Sequence, residues 1–323
     1  MKILFVRFSS IGDVVLTTPV LRATKKQTGA EIHYLTKVAF QSIIEPNPNV
    51  SKVYVIEKSI DEVIAELKSE EYDWIIDLHN NIRTRGLKSK LRRPSKTFRK
   101  LNWEKWLFVN VKLNKLPDVH VVDRYFETVH HLGVKPDGKP GEFTIQSENE
   151  VQLSEWNLEE KKFVAIAIGA QHATKCLPTN KLIELIQKID DPVVLIGGPT
   201  DESKAAAIVH GLEKEVVDTV GKLNLQQSAS LVQQTKHLIT HDTGMMHIAS
   251  CFDVPMSTVW GNTVPEFGMY PYQPSNKTYS IHQVKGLKCR PCSKIGSETC
   301  PKKHFDCMMK QNLSELSKSI EER

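Results

Sequence analysis

Short apolar runs rich in Val, Ile and Leu alternate along this chain with longer stretches whose apolar residues recur at helical spacing. No other feature restricts the fold as much. Lys2-Ile3-Leu4-Phe5-Val6-Arg7-Phe8, Ile32-His33-Tyr34-Leu35, Val53-Tyr54-Val55-Ile56 and Trp74-Ile75-Ile76-Asp77-Leu78 read as strands. Between them, residues 13–26 carry Val14, Val15, Pro19, Val20 and Ala23 on one helix face, with Gly29 as the stop, and residues 61–67 read as a further helix. Strands separated by helices, with few hairpin signals, belong to parallel sheets covered on both faces.

A cluster of chain breakers over residues 134–141 precedes a second round of the same pattern. Residues 163–168, 193–196, 238–240 and 257–260 read as strands, and residues 179–189, 202–211 and 226–234 as helices. The expected fold is therefore α/β: two doubly wound, Rossmann-like domains over residues 1–140 and 141–306, facing a central cleft. Residues 307–323 follow, and an amphipathic helix over 308–322 is expected to pack back across that cleft. Open α/β sheets bind ligands outside the carboxyl ends of their strands, which makes the cleft the expected site.

Composition narrows the class. With 40% hydrophobic and 25% charged residues, the 323-residue chain reads as globular, neither disordered nor fibrous. Its longest apolar runs, such as Val164-Ala165-Ile166-Ala167-Ile168, are too short to cross a bilayer. Arg7 interrupts the first apolar run at once, so no signal peptide is read and the expected location is cytoplasmic.

Each half has a polar turn at a strand end. In the first half, Ser9-Ser10-Ile11-Gly12-Asp13 follows the opening strand; in the second, His241-Asp242-Thr243-Gly244-Met245-Met246-His247 runs from a strand into a short helix. The latter turn offers backbone amides and the positive end of a helix dipole to a phosphate. Helix capping by Ser10, Asp13, Asp242 or Thr243 is the plainer explanation of each residue taken singly. The chain has no Gly-x-Gly-x-x-Gly and no Walker lysine motif, which argues against dinucleotide and nucleoside triphosphate binding. A carboxylate at a cleft mouth, as Asp13 is, suits a general base for an alcohol.

Three separated motifs carry a family resemblance. Ser9-Ser10-Ile11-Gly12-Asp13-Val14 with Thr17-Thr18-Pro19-Val20-Leu21, Lys175 before Leu177-Pro178, and Asp242-Thr243-Gly244-x-x-His247-x-Ala249 resemble, in this order, the motifs of glycosyltransferase family 9, the ADP-heptose:lipopolysaccharide heptosyltransferases. The resemblance implies a GT-B fold and an inverting sugar transfer from a nucleotide-sugar donor, with ADP-heptose the leading candidate, to an anionic lipid-linked saccharide acceptor. Asp13 is then the catalytic base. Lys175, Asp242, Thr243, Gly244, Met245 and His247 hold the donor diphosphate, and Glu202, or its neighbour Asp201, contacts the ribose. Ser10, Gly12, His79 and Arg83 are the candidate acceptor contacts. No Asp-x-Asp occurs, so no active-site metal and no catalytic cofactor are expected.

Two further stretches carry chemistry. Residues 83–105 hold a run of Arg and Lys with Glu104 as the only acid, and Trp103 and Trp106 lie beside it. A solvated helix face explains such a run; peripheral contact with the inner face of an anionic membrane explains it together with the tryptophans. Cys289, Cys292, Cys300 and Cys307 have a spacing compatible with tetrahedral structural zinc. Two other functions fit parts of the pattern. A sugar-nucleotide epimerase shares the two-domain architecture, and the basic run alone would suit nucleic acid, although no base-reading module is recognisable and no nucleic-acid partner is expected.

Overall fold

The computed structural model describes residues 1–321, and among them the chain divides into two compact units. The first comprises Met1–Leu101, Val119–Thr144 and Tyr272–Ser275; the second comprises Asn102–Asp118, Ile145–Pro271 and the chain from Asn276 onward. The chain thus passes between units several times, not once near residue 140. The helix at residues 102–111 lies in the second unit although its sequence precedes most of that unit.

In the first unit the strands β1 (Lys2–Val6), β2 (Glu31–Lys37), β3 (Lys52–Ile56), β4 (Trp74–Asp77) and β5 (Ser95–Thr97) form one sheet in the order β3-β2-β1-β4-β5. Every pairing is parallel, with Phe5 opposite Tyr34 on one side and Ile76 on the other. Parallel strands are covered on both faces, so they read as continuous apolar runs, and Ile3, Leu4, Phe5 and Val6 are all fully buried. The helix expected over residues 13–26 is two helices, α1 (Ile11–Val15) and α2 (Thr18–Thr28). Pro19 sits in the first turn of α2, where its missing N–H costs nothing. Gly29, with φ of 67°, ends α2 in the left-handed region that glycine adopts freely. Helices α3 (Gln41–Ile44), α4 (Ile64–Ser69) and α5 (Ile82–Leu91) follow, and α7 (Val121–Phe126) closes the unit. The second unit owns α6 (Asn102–Val111).

The second unit repeats the plan with β6 (Val164–Ala167), β7 (Val193–Ile196), β8 (Val217–Asp218), β9 (His237–His241), β10 (Met256–Trp260) and β11 (Tyr279–Gln283), ordered β11-β10-β9-β6-β7-β8 and all parallel. Counted from its own first strand, this is the 3-2-1-4-5-6 order of the doubly wound fold. Its helices are α8 (Thr179–Ile186), α9 (Glu202–His210), α10 (Leu225–Gln234), α11 (Gly244–Ala249), α12 (Asp306–Met309) and α13 (Leu313–Glu321). One core cluster joins β6 and β7 to α8, α9 and α13. Leu313, Leu316 and Ile320 of α13 are buried in it, each contributing about 1.5–3 kcal/mol relative to exposure. The terminal helix is therefore anchored on the second unit, against α8 and β10. Glu322, to which the expected helix extended, lies outside the described residues. Among the described residues no helix is long and apolar enough to cross a membrane.

In each sheet the strand order reverses beside the first strand of the unit. The crevices outside the carboxyl ends of β1 and β4, and of β6 and β9, are where this topology leaves room for a ligand. The polar turns singled out in the sequence follow these strands.

Candidate active site

In the first unit, residues 9–13 leave β1 and enter α1. Asp13 occupies the first turn of α1, where its Oδ2 accepts from the Ser10 amide at 3.2 Å and the Ser10 hydroxyl at 2.8 Å. The capping role expected for this pair is therefore present. Its other oxygen, Oδ1, lies 2.6 Å from Arg7 Nη2. Arg7 is buried, and its guanidinium also donates to the carbonyls of Ser9 at 2.7 Å and Leu78 at 2.6 Å. Burial alone would lower the pKa of Arg7, but the charge of Asp13 raises it. The pair is a fixed charge couple at the end of β1. Arg7 breaks the first apolar run of the sequence, and a buried charge directly after a buried strand is the signal of its role. Gly12 is buried in α1, whereas Ser10 is exposed.

The turn after β4 is built by Asp77, whose side chain is completely buried. Its Oδ1 accepts from the amides of His79 at 3.0 Å and Asn80 at 2.7 Å, and its Oδ2 lies 2.8 Å from Lys88 Nζ. An Asx turn of this kind fixes the loop and delivers His79 beside Phe8, with ring centroids 5.1 Å apart. Burial, helped by the charges of Arg7 and Lys100, lowers His79 to a pKa of about 4, so its imidazole is neutral at physiological pH. Its Nδ1 is buried without a hydrogen-bond partner among the described residues. Phe8, Ser9, Lys37, His79, Asn81, Ile82 and Arg83 line an open cavity of about 630 Å³. Arg83 stands over the Phe8 ring at 5.4 Å. Two of the four expected acceptor contacts, His79 and Arg83, thus share one cavity with a second cation, Lys37.

In the second unit, Lys175 and Asp242 meet although 67 residues separate them. Lys175 ends a short 3₁₀ turn, Ala173–Lys175, beyond β6, and Asp242 directly follows β9. The Lys175 ammonium lies 2.8 Å from Asp242 Oδ2 and 3.0 Å from the Asp242 carbonyl. Thr263 Oγ1 donates to the same carboxylate oxygen at 2.7 Å. Thr243 is the N-cap of α11, with Gly244 and Met245 in its first turn. These first-turn amides, like those of any α-helix, lack intrahelical acceptors. His247 is buried one turn further on, 3% exposed.

The choice between Asp201 and Glu202 is informed by their neighbours. Asp201 Oδ2 accepts from the Gly198 amide at 3.0 Å and packs over Gly169, where a Cβ would fall 2.0 Å from that oxygen. Asp201 is committed to the turn. Glu202, the first residue of α9, is exposed and lies against Gly221, where a Cβ would sit 2.3 Å from Glu202 Oε1. Glycine there, at φ of 73°, leaves the carboxylate its space.

The expected zinc ligands do not assemble. Among the described residues no group of three or more His, Cys, Asp or Glu is arranged to hold a metal ion. All six cysteines are free. Cys307 is buried in the apolar cluster with Met308, and burial pushes its thiol up to about 12. Cys292 Sγ donates to the Cys289 carbonyl at 3.1 Å, and its thiol is raised to about 11, first by burial and then by Cys289. The charges of Cys292, Cys300 and Cys289 also raise Cys307, so the four cysteines share one region without being arranged as a ligand set.

Two Rossmann-like units in one chain, each with its polar residues beside the reversal of strand order, are the architecture of the GT-B glycosyltransferases. The family model for glycosyltransferase family 9 (heptosyltransferase) matches residues 60–302, and the chain belongs to that family. It is a glycosyltransferase. The match begins beyond the Asp13 turn and includes Lys175, Glu202 and residues 242–247. The lipopolysaccharide heptosyltransferase 1 of Campylobacter coli is 24% identical over 289 residues, 81% of this chain and 84% of the relative. Among solved structures, the ADP-heptose lipopolysaccharide heptosyltransferase II of E. coli has a TM-score of 0.75 at 18% identity, covering 100% of this chain and 99% of that one. The E. coli heptosyltransferase WaaC with ADP has a TM-score of 0.68 at 21% identity, with the same coverage.

Proposed function

We propose that this chain moves a sugar, heptose from ADP-heptose, onto a lipopolysaccharide core or related lipid-linked glycan, with inversion at the anomeric carbon. One observation carries the reading most of the way: a lysine held against Asp242 beside the first turn of α11, at the carboxyl ends of β6 and β9. A cation there faces the position where this topology accepts phosphates. Breaking the glycosidic bond leaves a nucleoside diphosphate whose charge grows in the transition state, and fixed donors stabilise it. Lys175 supplies the charge, Asp242 orients Lys175, and the Thr243, Gly244 and Met245 amides with His247 complete the diphosphate contacts. Glu202 is assigned to the ribose because Asp201 is taken up by the Gly198 turn.

The acceptor hydroxyl gives its proton to Asp13 as its oxygen attacks the anomeric carbon. The bond from that carbon to the diphosphate breaks, and ADP leaves with the bonding electrons. The cations Lys37 and Arg83, with the neutral His79, suit an anionic saccharide in the cavity of the first unit, and Ser10 and Gly12 flank the base. No step calls for a catalytic metal. The donor assignment is tested by a thermal-shift screen of nucleotide sugars: ADP-heptose is expected to raise the melting temperature above that seen with UDP- and GDP-sugars. A preference for a UDP- or GDP-sugar would remove ADP-heptose as donor.

A membrane role is proposed for α6. Six of its ten residues are apolar or aromatic, and none is buried. Trp103 and Trp106 are 65% and 46% exposed, with rings stacked 5.2 Å apart at 6°. Interfacial tryptophans beside Lys105 and Lys115 match an anionic bilayer surface at the inner face of the cytoplasmic membrane. Wild-type protein is expected to co-sediment with vesicles containing anionic lipid and not with zwitterionic ones, and Trp103→Ala with Trp106→Ala to lose most of that binding. Equal partitioning of the double variant would contradict the role.

A further inference from the structure

The loop that carries Lys175 is held by its backbone at one residue, Leu177, from two sides. The Leu177 amide donates to His241 Nε2 at 2.9 Å, and the Leu177 carbonyl accepts from Lys204 Nζ at 2.9 Å. Each of these groups has a second attachment at the end of β6. His241 Nδ1 lies 3.1 Å from the Ala167 carbonyl, and Lys204 Nζ donates to the Ile168 carbonyl at 2.8 Å. His241 is the last residue of β9, immediately before Asp242, and Lys204 lies in the first turn of α9, two residues after Glu202. The loop is thereby tied to the strand that presents Asp242 and to the helix that presents Glu202.

Both groups are costly choices for structure alone. His241 is fully buried, and its ring must stay neutral, with the proton on Nδ1, to accept from Leu177 while donating to Ala167. Burial, reinforced by the charge of Lys204, lowers its pKa to about 3 and keeps it in that state. The Lys204 ammonium rests on two carbonyl oxygens, and burial lowers its pKa as well. A cation drawn part-way out of water onto neutral carbonyls, with the charge of Asp201 as partial compensation, gains little over an apolar residue of similar size. What these groups give is a fixed geometry for the loop. A lysine whose ammonium must meet a developing charge loses effectiveness when its loop wanders by an ångström.

We infer that His241 and Lys204 are positioning residues of the donor site, stapling the Leu177 backbone so that Lys175 stays in register with Asp242 and Glu202. The inference rests on the reading of Lys175 as a diphosphate ligand. Thr174 adds a third hold on the same loop, through paired bonds with Ser297: its hydroxyl donates to the Ser297 carbonyl at 2.9 Å and accepts from the Ser297 amide at 2.8 Å.

The test is a double-mutant cycle read by the Kd for ADP, measured calorimetrically on the whole 323-residue chain. Lys204→Met and His241→Leu are each expected to weaken ADP binding about tenfold in the wild-type background. In a Lys175→Met background the same changes should shift the Kd less than threefold, because the group they position is gone. Lys204→Arg, which can reach both carbonyls, should recover most of the lost affinity. A merely structural role would leave the two effects additive and give no recovery. Lys204→Gln supplies the same comparison if Lys204→Met does not fold. Additive losses, or folded variants with wild-type ADP affinity, would overturn the positioning role alone. A Lys175→Met protein that binds ADP as tightly as wild type would instead overturn the diphosphate reading, and the inference with it.

Discussion

Asp13→Asn is expected to lower turnover by about a hundred- to ten-thousand-fold, the usual contribution of a positioned general base. The substitution keeps the shape and one of the two local contacts: the amide oxygen can still accept from Ser10, while the amide NH2 is set against the Arg7 guanidinium, donor against donor. It removes the ability to take a proton and the charge that meets Arg7. Arg7 loses its carboxylate, and breaking such a buried pair costs about 3–5 kcal/mol at worst. Its bonds to the Ser9 and Leu78 carbonyls reduce that penalty, so a lower melting temperature with a folded protein is expected. Donor affinity should stay near wild type, since every proposed donor contact lies on the second unit. Steady-state turnover and the Kd for ADP, measured on the same preparation, separate the two effects. Near-normal turnover in Asp13→Asn would remove Asp13 from the role of base.

Lys175→Met should act on the other half of the reaction. Removing one preorganised donor to a developing negative charge costs about a hundred- to a thousand-fold in turnover. Methionine preserves the length and apolar stem of the side chain without the charge. Asp242 would keep its bond from Thr263 Oγ1, so the turn should hold. The loss should fall on turnover more than on the acceptor KM, because the charge that Lys175 meets grows only as the bond to the diphosphate breaks. Unchanged turnover with a raised donor KM would make Lys175 a ground-state ligand only.

Much of this was legible in the chain, for a physical reason. Parallel strands buried on both faces carry continuous apolar runs, so β1, β2, β4, β6, β7 and β10 stand out. Ser95-Lys96-Thr97 does not: β5 is an exposed edge strand of polar residues, and only pairing with β4 makes it a strand. The two residues of β8 are too few for any pattern. The break between α1 and α2 was hidden because Pro19 fits the first turn of a new helix as well as the helical spacing of an unbroken one. Which unit owns α6 depends on contacts such as Phe108 against Phe267, 159 positions apart in sequence, and no local pattern encodes that.

The proposed site divides in the same way. Residues 9–13, 175 and 242–247 were readable because a turn at a strand end needs particular residue types. The roles of Arg7, His241 and Lys204 were not. Each acts on carbonyl or amide groups of a distant segment, and those partners are unspecified until the sheet brings β1 beside β4 and β6 beside β9. The cysteines erred in the opposite direction, since their spacing suggested a ligand set while burial and carbonyl contacts claimed two of the thiols.

Sugar transfer with release of the nucleoside diphosphate is tested most directly by the balance of a single reaction. The full chain, incubated with ADP-heptose and a lipopolysaccharide core acceptor, is expected to release one ADP for each acceptor glycosylated, with little release when the acceptor is omitted. Conversion of ADP-heptose to an epimer without release of ADP, or ADP release that ignores the acceptor, would contradict it.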